Sequence, residues 1–359
     1  MIHLLTHFPA RYSYNELPTC RLHRGPAPHL GSPQQPEIQE PLYGGHATGM
    51  GVLNDEKIDI IKAAGPVHHV KKTTKIGKLK GTCAIAHCRY SDLAKDVDGY
   101  NLDVMAHPYI SDDGKIALMH NGVITNYKEH WKALEKDHTF RSYGEKVDDI
   151  TDSEVAVHMI SDAYNSGMSI VEAFQEIAPK LTGMFLLAAI NVDEPDTVYI
   201  CNWYQPCYVA LGKDEAMFVS SRRGLRDVDM ERVFQPPKNS VIKLTRGGAE
   251  IRVMDPSREI PRMIMNEFKA KRMIRNTLRE KGRMDVRKLF QVHNPEGWAE
   301  VYGVTANEWK AQRSAGIYIM NPYFELLESM VADGIIEESI DPRPEGGFED
   351  VPRYSYVLA

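Results

Sequence analysis

The stretch "IALMHNGVITNY", residues 116–127, begins with apolar residues and then breaks at a polar His-Asn-Gly triplet. A short apolar run of this kind predicts a buried strand. The Asn121 amide and the Gly122 N–H place two hydrogen-bond donors at one point, an arrangement that stabilises negative charge on a carbonyl oxygen. An Asn-Gly pair is also the strongest short signal for a hairpin turn, so the dipeptide alone favours a turn.

Two other polar residues stand at the ends of predicted elements. Arg89 follows the apolar strand "IAHC", and Asp152 lies at the start of a predicted helix. A guanidinium binds an α-carboxylate and a carboxylate binds an α-ammonium, so the pair are candidate anchors for an amino acid. Taken singly, Arg89 is better explained as a solvated surface charge and Asp152 as a helix N-cap, and it is the ordered set of motifs that favours a site.

The pattern of short apolar segments and helical repeats around these residues predicts an α+β domain. Short apolar strands separated by turn-like stretches recur between residues 49 and 245, and helical spacing appears at 152–167 and 169–181. Ser169 with Glu172 three residues later predicts a capped helix start. Sheets stacked between helices are the expected arrangement. Residues 21–43, rich in Pro, Gly and Gln, are predicted to form a loop outside the core.

Charge and composition narrow the possible functions. The 359 residues carry a formal net charge of −6, which argues against a generally basic nucleic-acid binder. We find no apolar run long enough to span a bilayer and no signal peptide. The five cysteines (20, 83, 88, 201 and 207) form no CxxC pair, which predicts reduced thiols and a cytoplasmic protein. We predict no metal site and no cofactor.

Beyond residue 253 the sequence changes character. Residues 258–288 hold eleven Lys/Arg and four Asp/Glu, a balance of 11 − 4 = +7, and predict a basic helix packed through Ile264, Phe268 and Leu278. Residues 305–359 have the outline of a winged helix: two helices, a strand, a Pro/Gly loop and a strand. The predicted domains are therefore 1–253, a basic helical connector at 254–304, and a winged-helix-like module at 305–359.

Several motifs, in order, resemble the class II (N-terminal-nucleophile) glutamine amidotransferases. The resemblance covers about residues 44–245, and the short forms encoded by large bacteriophages look most similar. The segments that carry it are "GGHATGMGV" (44–52), "IAHCRY" (85–90), "MAHPY" (105–109), "MHNGVITNY" (119–127), "TDSEV" (151–155), "LTGMFLLAAIN" (181–191) and "AMFVSSRRGLRDV" (216–228). Gly44 stands where the family usually has arginine, and "SDLAK" (91–95) replaces its usual Ala-Thr-x-Gly.

The resemblance implies both a fold and a set of roles. It implies the four-layer αββα fold and the hydrolysis of the glutamine side-chain amide, with ammonia passed to an acceptor. In that assignment, Arg89 binds the α-carboxylate of glutamine and Asp152 its α-ammonium. Asn121 and Gly122 form the oxyanion hole. Only about 110 residues follow the amidotransferase-like region, so we expect the acceptor enzyme to be a separate protein.

The nucleophile departs from the family pattern. The family uses an N-terminal cysteine whose own α-amino group acts as the base, whereas this chain starts Met-Ile-His. Cys20 becomes the first residue only if residues 1–19 are removed. The segment "MIHLLTHF" (1–8) is, however, the better first strand. If that strand lies in the core, position 1 or 2 takes the place of the nucleophile and the chemistry is lost.

Two functions therefore remain open, together with a weaker third. The first is glutamine amidotransfer. The second is a catalytically inactive protein that keeps the fold for binding or assembly. The third, a DNA-binding regulator, rests on the winged-helix outline alone. Residues 321–359 carry two Lys/Arg and nine Asp/Glu, 2 − 9 = −7, a charge that repels phosphate and favours protein docking instead.

Overall fold

The computed structural model describes residues 2–6, 34–54, 56–90, 101–142, 144, 149–226, 228–260, 263–314 and 320–359. Elements are numbered along the chain. Two antiparallel sheets form the first part of the molecule. The seven-stranded sheet has the order β11-β9-β10-β1-β4-β2-β3. Its strands are β1 (Ile2–Thr6), β2 (Ala47–Asn54), β3 (Lys57–Ala64), β4 (Cys83–Arg89), β9 (Tyr208–Leu211), β10 (Ala216–Val219) and β11 (Arg232–Phe234).

The six-stranded sheet has the order β13-β12-β8-β7-β6-β5. Its strands are β5 (Tyr109–Ile110), β6 (Ile116–Ile124), β7 (Gly183–Asn191), β8 (Thr197–Trp203), β12 (Asn239–Thr245) and β13 (Gly248–Val253). The helices of this part are α1 (Gln34–Tyr43), α2 (Val67–Thr73), α3 (Leu102–Met105), α4 (Tyr127–Leu134), α5 (Asp152–Asn165) and α6 (Ile170–Ile177). The Ser169–Glu172 capping box predicted for the start of α6 is present.

The two sheets pack face to face between helices. Side chains from the facing surfaces of the two sheets, such as Ile85 of β4 and Met119 of β6, belong to one apolar core between them. The opposite face of the six-stranded sheet packs on α5 and α6, where Leu118 meets Phe174. On the outer face of the seven-stranded sheet, α2 contributes Val70 to a further core. This helix–sheet–sheet–helix order agrees with the four-layer fold that the resemblance implies.

Strand β1 occupies a central position in the seven-stranded sheet. It pairs antiparallel with β10 on one side and β4 on the other, and Leu4 lies opposite both Phe218 and Ile85. The predicted first strand is therefore part of the sheet. Cys20 lies outside the described residues, but removal of residues 1–19 would take β1 out of the middle of this sheet.

The C-terminal part forms one body around a core to which Leu42 of α1 also contributes. Its elements are α7 (Glu267–Lys281), β14 (Met284–Asp285), α8 (Val286–Gln291), α9 (Glu296–Tyr302), α10 (Ala306–Ser314), α11 (Met320–Ala332), β15 (Ile336–Glu345) and β16 (Phe348–Leu358). The three strands pair in the order β14-β16-β15. Ile274 of α7, Trp298 of α9 and Tyr323 of α11 belong to one buried cluster. The predicted boundary at 304/305 thus runs through a continuous core.

Two predictions from composition were wrong. The loop predicted at 21–43 contains α1, whose Leu42 is buried and whose Gln39 side chain accepts hydrogen bonds from the Ser221 N–H and the Ser220 hydroxyl. Polar contacts bury this helix, so hydrophobic periodicity did not reveal it. In the basic segment, Leu278 is buried as predicted, whereas Ile264 and Phe268 are 83% and 76% exposed because they lie on the face of this segment turned away from the core.

Candidate functional site

The alternation of side chains along two facing strands brings the candidate residues together. On β4, Cys83 and Ile85 point into the layer between the sheets, so Arg89 lies on that face by the same parity. On β6, Ala117 and Met119 point into the same layer, which places Asn121 there from the opposite sheet. The half-buried side chains of Arg89 and Asn121 therefore approach one edge of the inter-sheet core from two sides.

Asp152 reaches this edge from the start of α5. Thr151, and not Asp152, is the N-cap of α5, so the N-cap explanation of Asp152 was wrong. The Asp152 carboxylate instead accepts the Ile124 N–H at 2.8 Å and lies 3.4 Å from His120 Nδ1. Its side chain is 17% exposed. The carboxylate is thus held by the end of β6, next to the His-Asn-Gly triplet.

The charges around Asp152 keep it ionised. Burial by itself raises the pKa of the Asp152 carboxyl, but His120, the Ile124 N–H and Arg89 outweigh burial and hold the pKa well below its usual range. Burial, reinforced by Arg89 and His120, lowers the pKa of His107, and burial is the largest cause of the lowered pKa of His87. The site therefore presents one fixed cation and one fixed anion beside the neutral imidazoles of His107 and His87.

A relay of hydrogen bonds connects the two charges. Arg89 Nη1 lies 3.3 Å from His107 Nε2, and the Ser153 hydroxyl lies 2.9 Å from the same nitrogen. Ser153 donates to Asp152 Oδ1 at 3.0 Å. The His107 ring also packs on His87, with 4.3 Å between ring centroids. These contacts fix the orientation of Arg89 relative to Asp152, and they rule out the explanation of Arg89 as a merely solvated charge.

A buried lysine positions the segment that carries His107. Lys62 Nζ donates to the carbonyl oxygens of Ala106 at 2.7 Å and Pro108 at 3.2 Å, and it lies 3.9 Å from the centroid of the Tyr109 ring. Burial is the main reason why the pKa of Lys62 is lowered to about 8. Because the segment is tied to β3 in this way, His107 is held against the end of β4.

Gly122 is required by close approach and by its backbone angle. Its φ is 131°, a conformation that side-chain-bearing residues rarely adopt. A Cβ at this position would lie 2.1 Å from the Met184 carbonyl oxygen and 2.8 Å from Gln205 Nε2. Gly122 pairs with Phe185 of β7, so the Asn-Gly pair lies within a strand and the hairpin-turn interpretation was wrong.

The sequence identified part of this constellation. Arg89, Asn121, Gly122 and Asp152 lie at the ends of β4, β6 and the start of α5, as described above. Ser91 and Asp92 of the "SDLAK" departure lie outside the described residues, as does Cys20. Sequence reasoning did not find Ser153 or Lys62. The "TDSEV" motif contained the first, but Lys62 has no local sequence signal, since its partners lie more than 40 residues away.

The described thiols are unsuited to act as nucleophiles. Cys83, Cys88, Cys201 and Cys207 are all buried. Burial is the largest cause of their raised pKa values, and for Cys207 the value is about 12. A thiol is reactive as its thiolate, which a raised pKa suppresses.

The C-terminal hairpin reaches the rim of the site. His46 Nε2 lies 3.5 Å from Glu345 Oε1, and the His46 ring packs on Tyr90, the residue after Arg89. Arg287 of α8 contacts both Glu345 and the Tyr90 hydroxyl. Arg353 donates to the Gly44 carbonyl oxygen at 2.7 Å. An arginine of the C-terminal hairpin therefore contacts the position at which class II glutamine amidotransferases usually have an arginine.

Comparisons with known proteins find glutamine amidotransferases among the similar sequences and structures. A glutamine amidotransferase domain family matches residues 100–227. The glutamine–fructose-6-phosphate aminotransferase (isomerizing) of Thermococcus kodakarensis is 34% identical over 183 residues, 50% of this chain and 28% of the relative. The same enzyme of Acinetobacter baylyi is 27% identical over 233 residues, 63% of this chain and 36% of the relative. The chain thus spans about a third of the length of these curated relatives.

Two solved structures share the fold. Glutamine phosphoribosylpyrophosphate amidotransferase from B. subtilis superposes with a TM-score of 0.55 at 16% identity, over 85% of this chain and 64% of that one. An allosteric regulatory enzyme of purine biosynthesis gives a TM-score of 0.56 at 17% identity, over 84% of this chain and 63% of that one. The chain is thus similar in sequence to glutamine amidotransferases over part of its length, and it shares the fold of these two structures. Of the helices that the structure describes, none has the length and apolar character needed to cross a bilayer.

Proposed function

We propose that the two-sheet domain binds glutamine between Arg89 and Asp152, with its side-chain amide directed at Asn121 and Gly122. The observation that carries the proposal is the held pair of opposite charges at the end of the inter-sheet core, linked through His107 and Ser153. A zwitterionic amino acid presents the complementary charges. The donors at Asn121 and Gly122 lie on β6 of the opposite sheet, beside the same edge of the inter-sheet core, and such donors stabilise negative charge on an amide oxygen.

Glutamine binding is tested by calorimetric titration of the wild type and Arg89→Ala. Truncating one partner of a desolvated charge pair costs about 2–5 kcal/mol, so we expect glutamine to bind at least about 30-fold more weakly. Arg252→Ala is the matched control, because Arg252 is an exposed arginine on β13 at the far edge of the other sheet. Equal affinities in Arg89→Ala and the wild type would remove Arg89 from the site.

In the first form of the function, this domain is a glutaminase. Cys20, exposed by removal of residues 1–19, attacks the side-chain amide of glutamine, and ammonia passes to a separate acceptor protein. Intact mass measurement with an ammonia-release assay tests this form. A mass that lacks residues 1–19, with activity abolished by Cys20→Ala and kept by Cys207→Ala, supports it.

In the second form, the domain binds glutamine without hydrolysing it and serves in binding or assembly. The central position of β1 favours this form, because Ile2 lies opposite His87 beside the site and β1 contains no cysteine. A protein that retains residues 2–19, binds glutamine and releases no ammonia supports the second form and rejects the first.

The C-terminal body is proposed to be a winged-helix-like module that acts in protein docking. The order of α7, β14, α8, α11 and the β15–β16 hairpin, with β14 paired to β16, supports the winged-helix interpretation. Several of its acidic residues form ion pairs with arginines, among them Glu338 with Arg223. The similarity to the short forms encoded by large bacteriophages also remains a proposal.

A partner for the module has a candidate contact surface. Ile264 and Phe268 are exposed beside a groove lined by Met263, Met265 and Leu326. If an ammonia acceptor docks here, Phe268→Lys abolishes co-elution of the acceptor. Val253→Lys, which changes a 53%-exposed apolar residue on β13, does not. Co-elution that survives Phe268→Lys places the acceptor elsewhere.

A further inference from the structure

We propose that Asp112, His138 and His158 form a binding site for a divalent transition metal ion, with Zn²⁺ as the best match. The three residues come from three places in the chain. Asp112 lies in the turn between β5 and β6, His138 follows α4, and His158 lies on α5. One ligand atom from each residue falls within 4.8 Å of the other two. Two imidazoles with one carboxylate form a common zinc ligand set.

The separations between the ligand atoms suit one ion. Asp112 Oδ2 lies 3.1 Å from His138 Nδ1 and 3.8 Å from His158 Nδ1. Tetrahedral zinc with bonds of about 2.0–2.1 Å separates neighbouring ligand atoms by about 3.4 Å. The observed spacings bracket that value. Small side-chain movements therefore close three ligands around one ion, and the 35% exposure of Asp112 leaves solvent access for a fourth ligand.

His158 gives an independent indication of a ligand. Its side chain is completely buried, and both ring nitrogens lack a hydrogen-bond partner among the described residues. A buried polar atom without a partner costs about 1–3 kcal/mol, so such atoms in a folded protein call for an explanation. The ring packs between His138, at 4.4 Å, and Phe140, at 5.0 Å between centroids. These neighbours leave Nδ1 directed at Asp112, and a metal ion there satisfies it.

Asp162 supplies the outer support that such a site needs. It lies one helical turn after His158, and its Oδ2 is 3.1 Å from His138 Nε2. A histidine that donates one N–H to a carboxylate presents the lone pair of its other nitrogen to the metal. His138 is arranged in this way between Asp162 and Asp112. The carboxylate–imidazole–metal order is therefore already present in the fold.

The remaining groups around Asp112 are compatible with an ion. Arg141 Nη2 lies 3.5 Å from Oδ1, the oxygen that does not face the histidines, and the Thr139 N–H donates to Oδ2 at 3.2 Å. The neutral imidazole is the form that binds metal. In the absence of a metal, His138 lies between the carboxylates of Asp112 and Asp162, and the two arrangements predict different experimental results.

The proposed ion joins the segment after α4 to α5, the helix that begins with Asp152. Glu154 of α5 already accepts the backbone N–H groups of Arg141 and Ser142. His158 lies six residues after Asp152, about 9 Å along the helix axis. The role assigned to the ion is structural, and the assignment stands whether or not glutamine is bound or hydrolysed.

The test begins with elemental analysis of protein purified without a histidine tag. After chelation, the protein is titrated with Zn²⁺, and with Co²⁺ as a spectroscopic probe. We expect one equivalent of Zn²⁺ per chain, a higher Tm with Zn²⁺, and the visible spectrum of tetrahedral Co²⁺. His158→Gln and Asp112→Asn lose the ion. Asp162→Asn binds it about 10–100-fold more weakly, because it removes only the outer support.

The matched control is His68→Gln. His68 lies 2.7 Å from Asp350, so it forms a histidine–aspartate pair like those of the cluster, but it is not part of the three-residue group. This variant keeps the full equivalent of metal. Equal Zn²⁺ binding by the wild type and His158→Gln, or the absence of stoichiometric metal and of a Co²⁺ spectrum in the wild type, overturns the proposal. The wild-type spectrum keeps the test decisive if His158→Gln fails to fold.

Discussion

The buried guanidinium of Arg223 joins the two-sheet domain to the C-terminal body, and its removal has a predictable cost. Arg223 lies in a 3₁₀ helix, Arg222–Leu225, that follows β10. Its side chain is fully buried. It lies 2.8 Å from Glu328 of α11 and 2.7 Å from Glu338 of β15, and its guanidinium sits 4.2 Å above the Tyr354 ring.

Replacement of Arg223 by alanine leaves two carboxylates without their main partner. Breaking a buried ion pair by removing one member costs about 3–5 kcal/mol. The glutamates are 22% and 14% exposed, and Arg226 remains 3.7 Å from both, so we expect the lower end, about 3 kcal/mol. At about 2–4 °C per kcal/mol for a domain of 150–250 residues, the Tm falls by about 6–12 °C.

The measurement is scanning calorimetry, with Arg226→Ala as the matched control. Arg226 contacts the same two glutamates but is 47% exposed, so its ion pairs contribute about 0–1 kcal/mol. Adding Glu328→Gln and Glu338→Gln to Arg223→Met removes the stranded charges and recovers part of the loss. If Arg223→Ala lowers the Tm no more than Arg226→Ala, the Arg223 guanidinium does not stabilise the interface, and the other contacts between the two bodies hold it.

Three further outcomes test the site and its supports. Gly122→Ala introduces a Cβ 2.1 Å from the Met184 carbonyl oxygen at a positive φ, so we expect a loss of more than about 2 kcal/mol in urea unfolding. The control is an alanine at exposed Gly77, where φ is not positive and a Cβ meets no atom within 4 Å, so its effect is small. Burial raises the pKa of Glu40 to about 8, so the protonated carboxyl is favoured in the folded state. The free energy of unfolding of the wild type therefore falls as the pH rises from about 4.5 to 8. Measurements of Tm against pH should show that Glu40→Gln lacks this dependence. A pH profile identical in both proteins contradicts the assignment. Lys62→Met removes the donor to the carbonyl oxygens of Ala106 and Pro108 and releases the segment that carries His107. We expect both a lower Tm and weaker glutamine binding. Unchanged glutamine affinity would limit Lys62 to a stabilising role.

Local patterns in the sequence were sufficient to predict the strands and the capped start of α6. They also predicted that the candidate site residues lie at the ends of strands and at the start of a helix. Alternation placed His120 and Asn121 on opposite faces of β6, and motif order separated Arg89 from ordinary surface arginines. A strand determines the face of each side chain through its period of two, so these features needed no knowledge of distant contacts.

Features that depend on distant partners could not be predicted in this way. Helix α1 has weak amphipathic character and is buried through Gln39 and Glu40, whose partners lie on other elements. The basic charge of segment 258–288 did not reveal which of its apolar residues face the core, and Ile264 and Phe268 are turned outward. A polar or charged side chain is buried only where another element supplies a hydrogen-bond or ion-pair partner. Hydrophobic periodicity within one segment does not reveal whether such a partner exists.

The sequence by itself predicted sheets stacked between helices and named Arg89 and Asp152 as candidate anchors for an amino acid. Tertiary structure alone decided that β1 fills the centre of a sheet, that the C-terminal hairpin reaches His46, and that Asp112, His138 and His158 meet. Each of these results joins residues that lie far apart in the chain. Such contacts form only when the sheets and helices have packed, because the energy that holds them comes from groups that no local segment contains.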